Sequence, residues 1–241
     1  MVWFAVFLSA ALAGLVQSVT GFGGAVMMML VLPSFFSIPV ASSIASAVCL
    51  GLNLVLLLKF RSHLDWKLWL LPTVPYLITS TLAIHMVGQL DLRLLGAAFG
   101  GFLVLLSAYF LVFARHLSVA PGLKTALLCG GAAGITSGLF GIGGPLLTLY
   151  FLPASGSKER YTANLQCAFF LPNLLNLFSR IQCGSTTADQ LPLILFAFLA
   201  INGGKHFGLR ILQYLDADRI RLLVYSFVGL SGVITVAQNL I

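Results

Sequence analysis

Two glycine clusters carry the clearest chemistry in this sequence: Gly21-Phe22-Gly23-Gly24 and Gly141-Ile142-Gly143-Gly144, each set inside a long apolar run. Glycine lets a backbone turn sharply with no Cβ in the way. A helix that resumes after Gly23-Gly24, or after Gly143-Gly144, starts with unpaired N–H groups and a partial positive charge, which suits an anion. The plainer reading is close helix packing. Small residues four apart, Ala10, Gly14 and Ser18 and again Gly130, Gly134 and Gly138, form ladders that we assign to packing. Consecutive glycines exceed what packing requires, so the breaks themselves are read as binding elements.

Polar side chains inside apolar runs extend the candidate site. Ser46 and Asn53 are seven residues apart, on one helical face, and Gln166 and Asn173 repeat that face later in the chain, with Asn176 nearby. At membrane depth such groups turn toward a partner or a cavity. The expected substrate-binding set is Thr20, Gly21, Phe22, Gly23, Gly24, Asn53, Gly141, Ile142, Gly143, Gly144, Gln166 and Asn173. His85 and Lys205 occupy equivalent positions near the inner ends of their helices, and Arg180 ends the Asn-rich helix. The plain reading of His85 and Lys205 is snorkelling to the interface; the sharper one is an electropositive vestibule for an anion, with Arg180 serving the same role on the outer side. All six acidic residues (Asp65, Asp91, Glu159, Asp189, Asp216, Asp218) fall in expected loops or at span ends. A cation site or an Asp/Glu proton relay would need one at membrane depth. No HExxH, GxSxG, Walker A or CxxC motif occurs, the four histidines are not spaced as a metal set, and the four cysteines are scattered. Neither an enzyme nor a cofactor or metal is expected.

What positions these residues is a membrane. Hydrophobic residues make up 59% of the 241 and charged residues 8%, with mean hydropathy +1.04. Soluble domains carry about 25% charged residues, so this chain cannot cover a globular surface with solvated groups. Runs such as Leu54-Val55-Leu56-Leu57-Leu58 do not alternate, which excludes a β-barrel strand there and leaves helices. The net charge of +7 sits between apolar runs, with no basic, aromatic-interleaved soluble patch, so nucleic acid is not an expected partner. Met1-Val2-Trp3-Phe4 lacks a basic n-region, so no cleaved signal peptide is expected.

The chain reads as two copies of one unit, residues 1–120 and 121–241. An offset of 120 pairs Gly14 with Gly134, Gly21 with Gly141, Pro33 with Pro153, Asn53 with Asn173 and Gly88 with Gly208. Each unit opens with a glycine-broken segment (2–20 resuming to Pro33, and 123–140 resuming to Pro153), and spans follow at about 40–60, 68–88, 94–114, 161–181, 190–209 and 220–240. If each broken segment were one crossing, the cations would divide 6 against 7 across the membrane. If each is a hairpin returning to its own side, they divide 11 against 2, with only Arg93 and Arg180 outside. The positive-inside rule selects the hairpins. The expected fold is therefore an all-α polytopic membrane protein of two inverted repeats, each a glycine-broken helical hairpin plus three transmembrane helices. Broken helices in inverted repeats are the pattern of secondary transporters.

The duplicated breaks resemble the TauE/SafE sulfite exporter family, also called the toluene sulfonate uptake permease family. The matching residues are Gly14, Gly21, Gly23, Gly24 and Pro33, then Gly134, Gly138, Gly141, Gly143, Gly144 and Pro153, with Gly88 and Gly208 ahead of short polar turns. Ser18, standing where the second unit has Gly138, and Pro145, directly after Gly143-Gly144, depart from the pattern. The resemblance implies transport of sulfite or organosulfur anions across a bacterial cytoplasmic membrane, as a multi-pass protein. Residue chemistry alone reaches only an anion carrier; the expected function, taken with the resemblance, is a secondary transporter working by alternating access, with a small anion and the lipid bilayer as partners. A homo-oligomer is compatible with the pattern. An anion channel of the same fold and a non-transporting membrane assembly protein are the alternatives.

Overall fold

Apolar runs bounded by glycine, proline and capping residues become helices along the chain. The computed structural model describes residues 1–113, 122–211 and 217–240. Among them lie α1 (Val2–Thr20), α2 (Gly24–Met29), α3 (Ile38–Phe60), α4 (Trp66–Val87), α5 (Leu92–Ala108), α6 (Leu123–Phe140), α7 (Gly144–Ser155), α8 (Lys158–Gln182), α9 (Leu191–Ile211) and α10 (Ala217–Leu240), and no strand. Apart from the ends of α2 and α5, the helix ends fall within about three residues of the expected spans. α5 continues as a π turn over Tyr109–Phe113. The expected boundary between the two units, at residues 120 and 121, lies outside the described residues, as do Arg115 and Asp216.

Several polar residues at the span ends are helix starts. Asp65 Oδ1 accepts the N–H groups of Lys67 and Leu68 at 3.0 and 3.2 Å. Asp91 Oδ1 accepts those of Arg93 and Leu94 at 2.7 and 3.2 Å. Each cap satisfies donors that a helix start leaves free. Asp65 also pairs with Arg160. The Leu68 N–H first, then Arg160, hold its carboxyl below the usual carboxylate range.

The two broken segments differ after their breaks. The first was expected to run as helix to Pro33, but α2 ends at Met29 and a 3-10 turn covers Leu32–Ser34. Pro33 has no N–H to give and disfavours helix in the residue before it. α7 instead continues past Pro153 to Ser155, where Gly156 closes it.

Four of the described helices are long and apolar enough to cross a membrane: Ile38–His63, Trp66–Val87, Leu92–Val112 and Leu123–Phe140. Their outward faces are leucine-rich. Leu82, Leu105 and Leu128 are 59%, 71% and 73% exposed, a surface that suits lipid and not water. The 25-residue α8 is the polar exception. It buries Asn164, Gln166, Asn176 and Arg180 and packs against α3, α4 and α7.

Glycines set the closest helix contacts. Gly130, Gly134 and Gly138 of α6 lie on Pro72, Tyr76 and Ser80 of α4. Gly14 of α1 lies on Ile201 and Lys205 of α9, and Gly204 of α9 on Ala11. The residue numbers rise together from α4 to α6, and Trp3 and Phe7 at the start of α1 meet Phe196 near the start of α9, so each pair is parallel. α3 and α8 run antiparallel: Ser42 and Ser43 at the start of α3 meet Arg180 and Thr186 at the end of α8, and Asp65 beyond α3 meets Arg160 and Asn164 at the start of α8. α5 and α10 are antiparallel too. Ser107 Oγ donates to Tyr225 O at 2.7 Å at one end, and Gly96 faces Asn239 at the other.

Candidate functional site

Each break is a helix end turned by a left-handed glycine. Gly21 has φ 80° and its N–H closes on Gln17 O at 2.9 Å. Gly141 has φ 73° and closes on Ser137 O at 2.8 Å. A residue with a Cβ would be strained at either position. The breaks then diverge: Gly23 is again left-handed, at φ 94°, whereas Gly143 has an ordinary φ of −110°. Gly143 is required for space. A Cβ there would sit 2.8 Å from both Ala133 O and Tyr76 Cε2.

The two tips meet. A Cβ on Gly144 would lie 3.3 Å from Phe22 Cβ and 3.1 Å from Phe169 Cζ. Between them is a cavity of about 40 Å³. Of the expected set, Phe22, Gly23, Gly24, Asn53, Gly141, Ile142, Gly143, Gly144 and Asn173 line it. Gln17, Cys49, Tyr76, Ser137 and Phe169 join them. A polar residue in the apolar α1 was the available signal for Gln17. Nothing in the sequence marked Tyr76.

The polar lining is asymmetric. Gln17 Nε2 donates to Asn53 Oδ1 at 2.6 Å. The offset of 120 places Ser137 where the first unit has Gln17. A hydroxymethyl group is shorter than a carboxamide, and Ser137 Oγ instead accepts from Tyr76 OH at 2.5 Å. Asn173, half-buried, lines the same cavity as Gln17 and Asn53, and no charged side chain stands in its wall.

Thr20, Gly21 and Gln166 stand behind the wall. Thr20 Oγ1 donates to Val16 O at 3.0 Å and to Phe22 O at 2.5 Å, bracing the turn. Gln166 Nε2 donates to Gly21 O at 2.8 Å, closing the free end of α1. The vestibule residues do not gather. His85 is exposed, with Nδ1 on its own helix at Thr81 O, 2.9 Å. Lys205 is half-buried beside Gly14. Because α9 is antiparallel to α8, and α8 to α3, α9 runs opposite to α4. His85 and Lys205 therefore lie at opposite ends of the bundle and not together at inner ends. Arg180 is buried, its Nη2 on Ser137 O and Gly138 O at 2.9 and 3.0 Å.

A site of this kind can bind and release. Its walls offer amide N–H groups, carboxamides and hydroxyls, and no carboxylate. Matched against known families, residues 6–235 fit the sulfite exporter TauE/SafE family. The chain belongs to the TauE/SafE sulfite exporter family. That family is one of membrane transporters of the sulfite-exporter type, and it covers both glycine breaks and the whole cavity. No curated protein and no solved structure matches the chain.

Proposed function

We propose that this protein is a secondary transporter of a small sulfur oxyanion, sulfite or a short sulfonate, in a bacterial cytoplasmic membrane. The observation that carries the reading is the single cavity at which two glycine-broken tips meet, walled by amides and carboxamides and free of carboxylates. Anion recognition would come from the N–H groups around Gly23, Gly24, Gly143 and Gly144, with the Asn173 amide beside them. α7, of twelve residues, offers the stronger dipole, and α2, of six, contributes mainly its turn. Pro145 removes one donor from the α7 end, so fewer N–H groups converge there. The volume of about 40 Å³ holds roughly three water positions at ~15 Å³ each. That is the scale of an inorganic oxyanion and not of an arylsulfonate.

Alternating access would follow from two inverted repeats, α1–α5 and α6–α10. Their support is the exchange of packing partners: α1 on α9 answers to α6 on α4, while α3 with α8 and α5 with α10 pair equivalent helices. Those equivalent pairs are antiparallel, as an inversion across the membrane requires. Because α1 runs parallel to α9, and α9 parallel to α3, the first broken segment leaves and returns on one side. The second does so on the other.

Two measurements test this. Purified protein in liposomes should accumulate labelled sulfite, sulfate or methanesulfonate in counterflow, with saturation. Flux that never saturates would indicate a channel, and no flux at all an assembly protein. Separately, single cysteines at positions 36 and 156 should react with impermeant thiol reagents from opposite sides of the membrane. Labelling of both from one side would remove the inverted hairpins.

A further inference from the structure

Among the described residues, Arg180 is the charged side chain that is fully buried, at 1% exposure. Among the described residues its guanidinium meets no carboxylate. Nη1 donates to Ser42 Oγ at 2.6 Å, with Pro39 O at 3.5 Å. Nη2 donates to Ser137 O and Gly138 O, and Nε has no partner. The ion pair seen among the described residues, Arg160–Asp65, lies at the other end of α8.

Burying a guanidinium without a countercharge is costly. The carbonyls at the end of α6 offset part of that cost: a helix C-terminus is partly negative, and Gly138 O, with Ser137 O that also takes the Gly141 N–H, accepts from the guanidinium. Closing a helix end does not itself need a charge. At the other hairpin the neutral carboxamide of Gln166 does the same for α1, through Gly21 O. The charge is therefore surplus to the fold. Ser137 connects it to the site: its carbonyl accepts from Arg180, and Ser137 lines the cavity. A positive charge stands one residue behind a wall that itself holds none, in a medium where its field is weakly screened.

We propose that Arg180 is the fixed counter-charge of the transported anion, a specificity-determining residue that acts through its field and not by contact. This rests on the transport reading above and assigns the source of its charge selectivity. Sulfite counterflow with Arg180→Lys and Arg180→Gln separates charge from hydrogen bonding. Arg180→Lys should keep KM within about threefold of wild type, and Arg180→Gln should raise it about tenfold or more, with turnover less affected. A wild-type KM in Arg180→Gln, or equal KM defects in both variants, overturns the proposal. Should Arg180→Gln fail to insert, Arg180→His replaces it. At about pH 8 the imidazole is neutral, so its KM relative to wild type at that pH should be raised about tenfold. It should fall back toward wild type at about pH 6. A ratio near one at about pH 8 overturns the proposal. Wild-type protein that moves no anion would bring down the transport reading itself, an outcome distinct from all of these.

Discussion

Replacing Gly143 with leucine should give a protein that inserts normally and does not transport. The backbone at Gly143 has φ −110°, which leucine adopts without strain. Its Cβ would press on Ala133 O and Tyr76 Cε2 at 2.8 Å and on Ser137 Cβ at 3.1 Å. Relief needs the loop that carries residue 143 to move off the Ala133 carbonyl, a cost of about 1 kcal/mol. The rest of the side chain must go toward the cavity of about 40 Å³ or push the α7 tip away from Phe22. Either outcome displaces the amides that would hold the anion, and a misplacement of about 1 Å can cost about a hundredfold. Uptake in liposomes and elution as a monodisperse species check the two halves of the expectation. Gly143→Ala should fall between wild type and leucine. Wild-type uptake by Gly143→Leu would take the site away from the second hairpin.

The glycine breaks, the helices and the membrane setting were readable because each depends on local chemistry. Gly21 and Gly141 are left-handed helix ends, and Asp65 and Asp91 are caps, all within a few residues of where composition changes. The aim of a side chain depends on its neighbour and was not readable. Gln166 and Asn173 share a face of α8, yet they stand about 10.5 Å apart along it at 1.5 Å per residue. One closes the end of α1 and the other lines the cavity. Arg180 looked like an interfacial cation from its place near the end of a span. Its burial follows from Ser42 of α3 and the end of α6 closing over it, contacts made across more than a hundred residues and across forty. The asymmetry of Gln17 and Ser137 was visible as a mismatch between the units. Its consequence, an Asn53 engaged by Gln17 and a Ser137 taken by Tyr76, needed the packing of α1 on α3 and of α6 on α4.

Gly134→Val should do the reverse of Gly143→Leu and cost the protein its fold. Gly134 sits where α6 presses on α4. A Cβ there would overlap Thr79 Oγ1 and the Tyr76 carbonyl and lie 2.9 Å from Tyr76 Cα. Backbone atoms cannot turn aside, so the helices must separate. Separation breaks the Thr79 Oγ1 bond to Gly131 O at 2.9 Å and the Tyr76–Ser137 bond at 2.5 Å. In lipid no hydrophobic force draws the helices back, because association there rests on close packing and interhelical hydrogen bonds. A loss of about 3 kcal/mol is expected, a fall of roughly 10 °C in Tm for a chain of this size. Gly131→Val is the control. Its Cβ would meet only Thr79 Cγ2, at 4.0 Å, so it should melt near wild type. Thermal unfolding in detergent of the three variants therefore sorts the glycines by role. Gly134→Val loses the most stability because its glycine is packing, and Gly143→Leu, with the smaller cost, stays folded while uptake is lost. If Gly134→Val were as stable as Gly131→Val, the α4–α6 contact would not be what holds the second hairpin against the cavity.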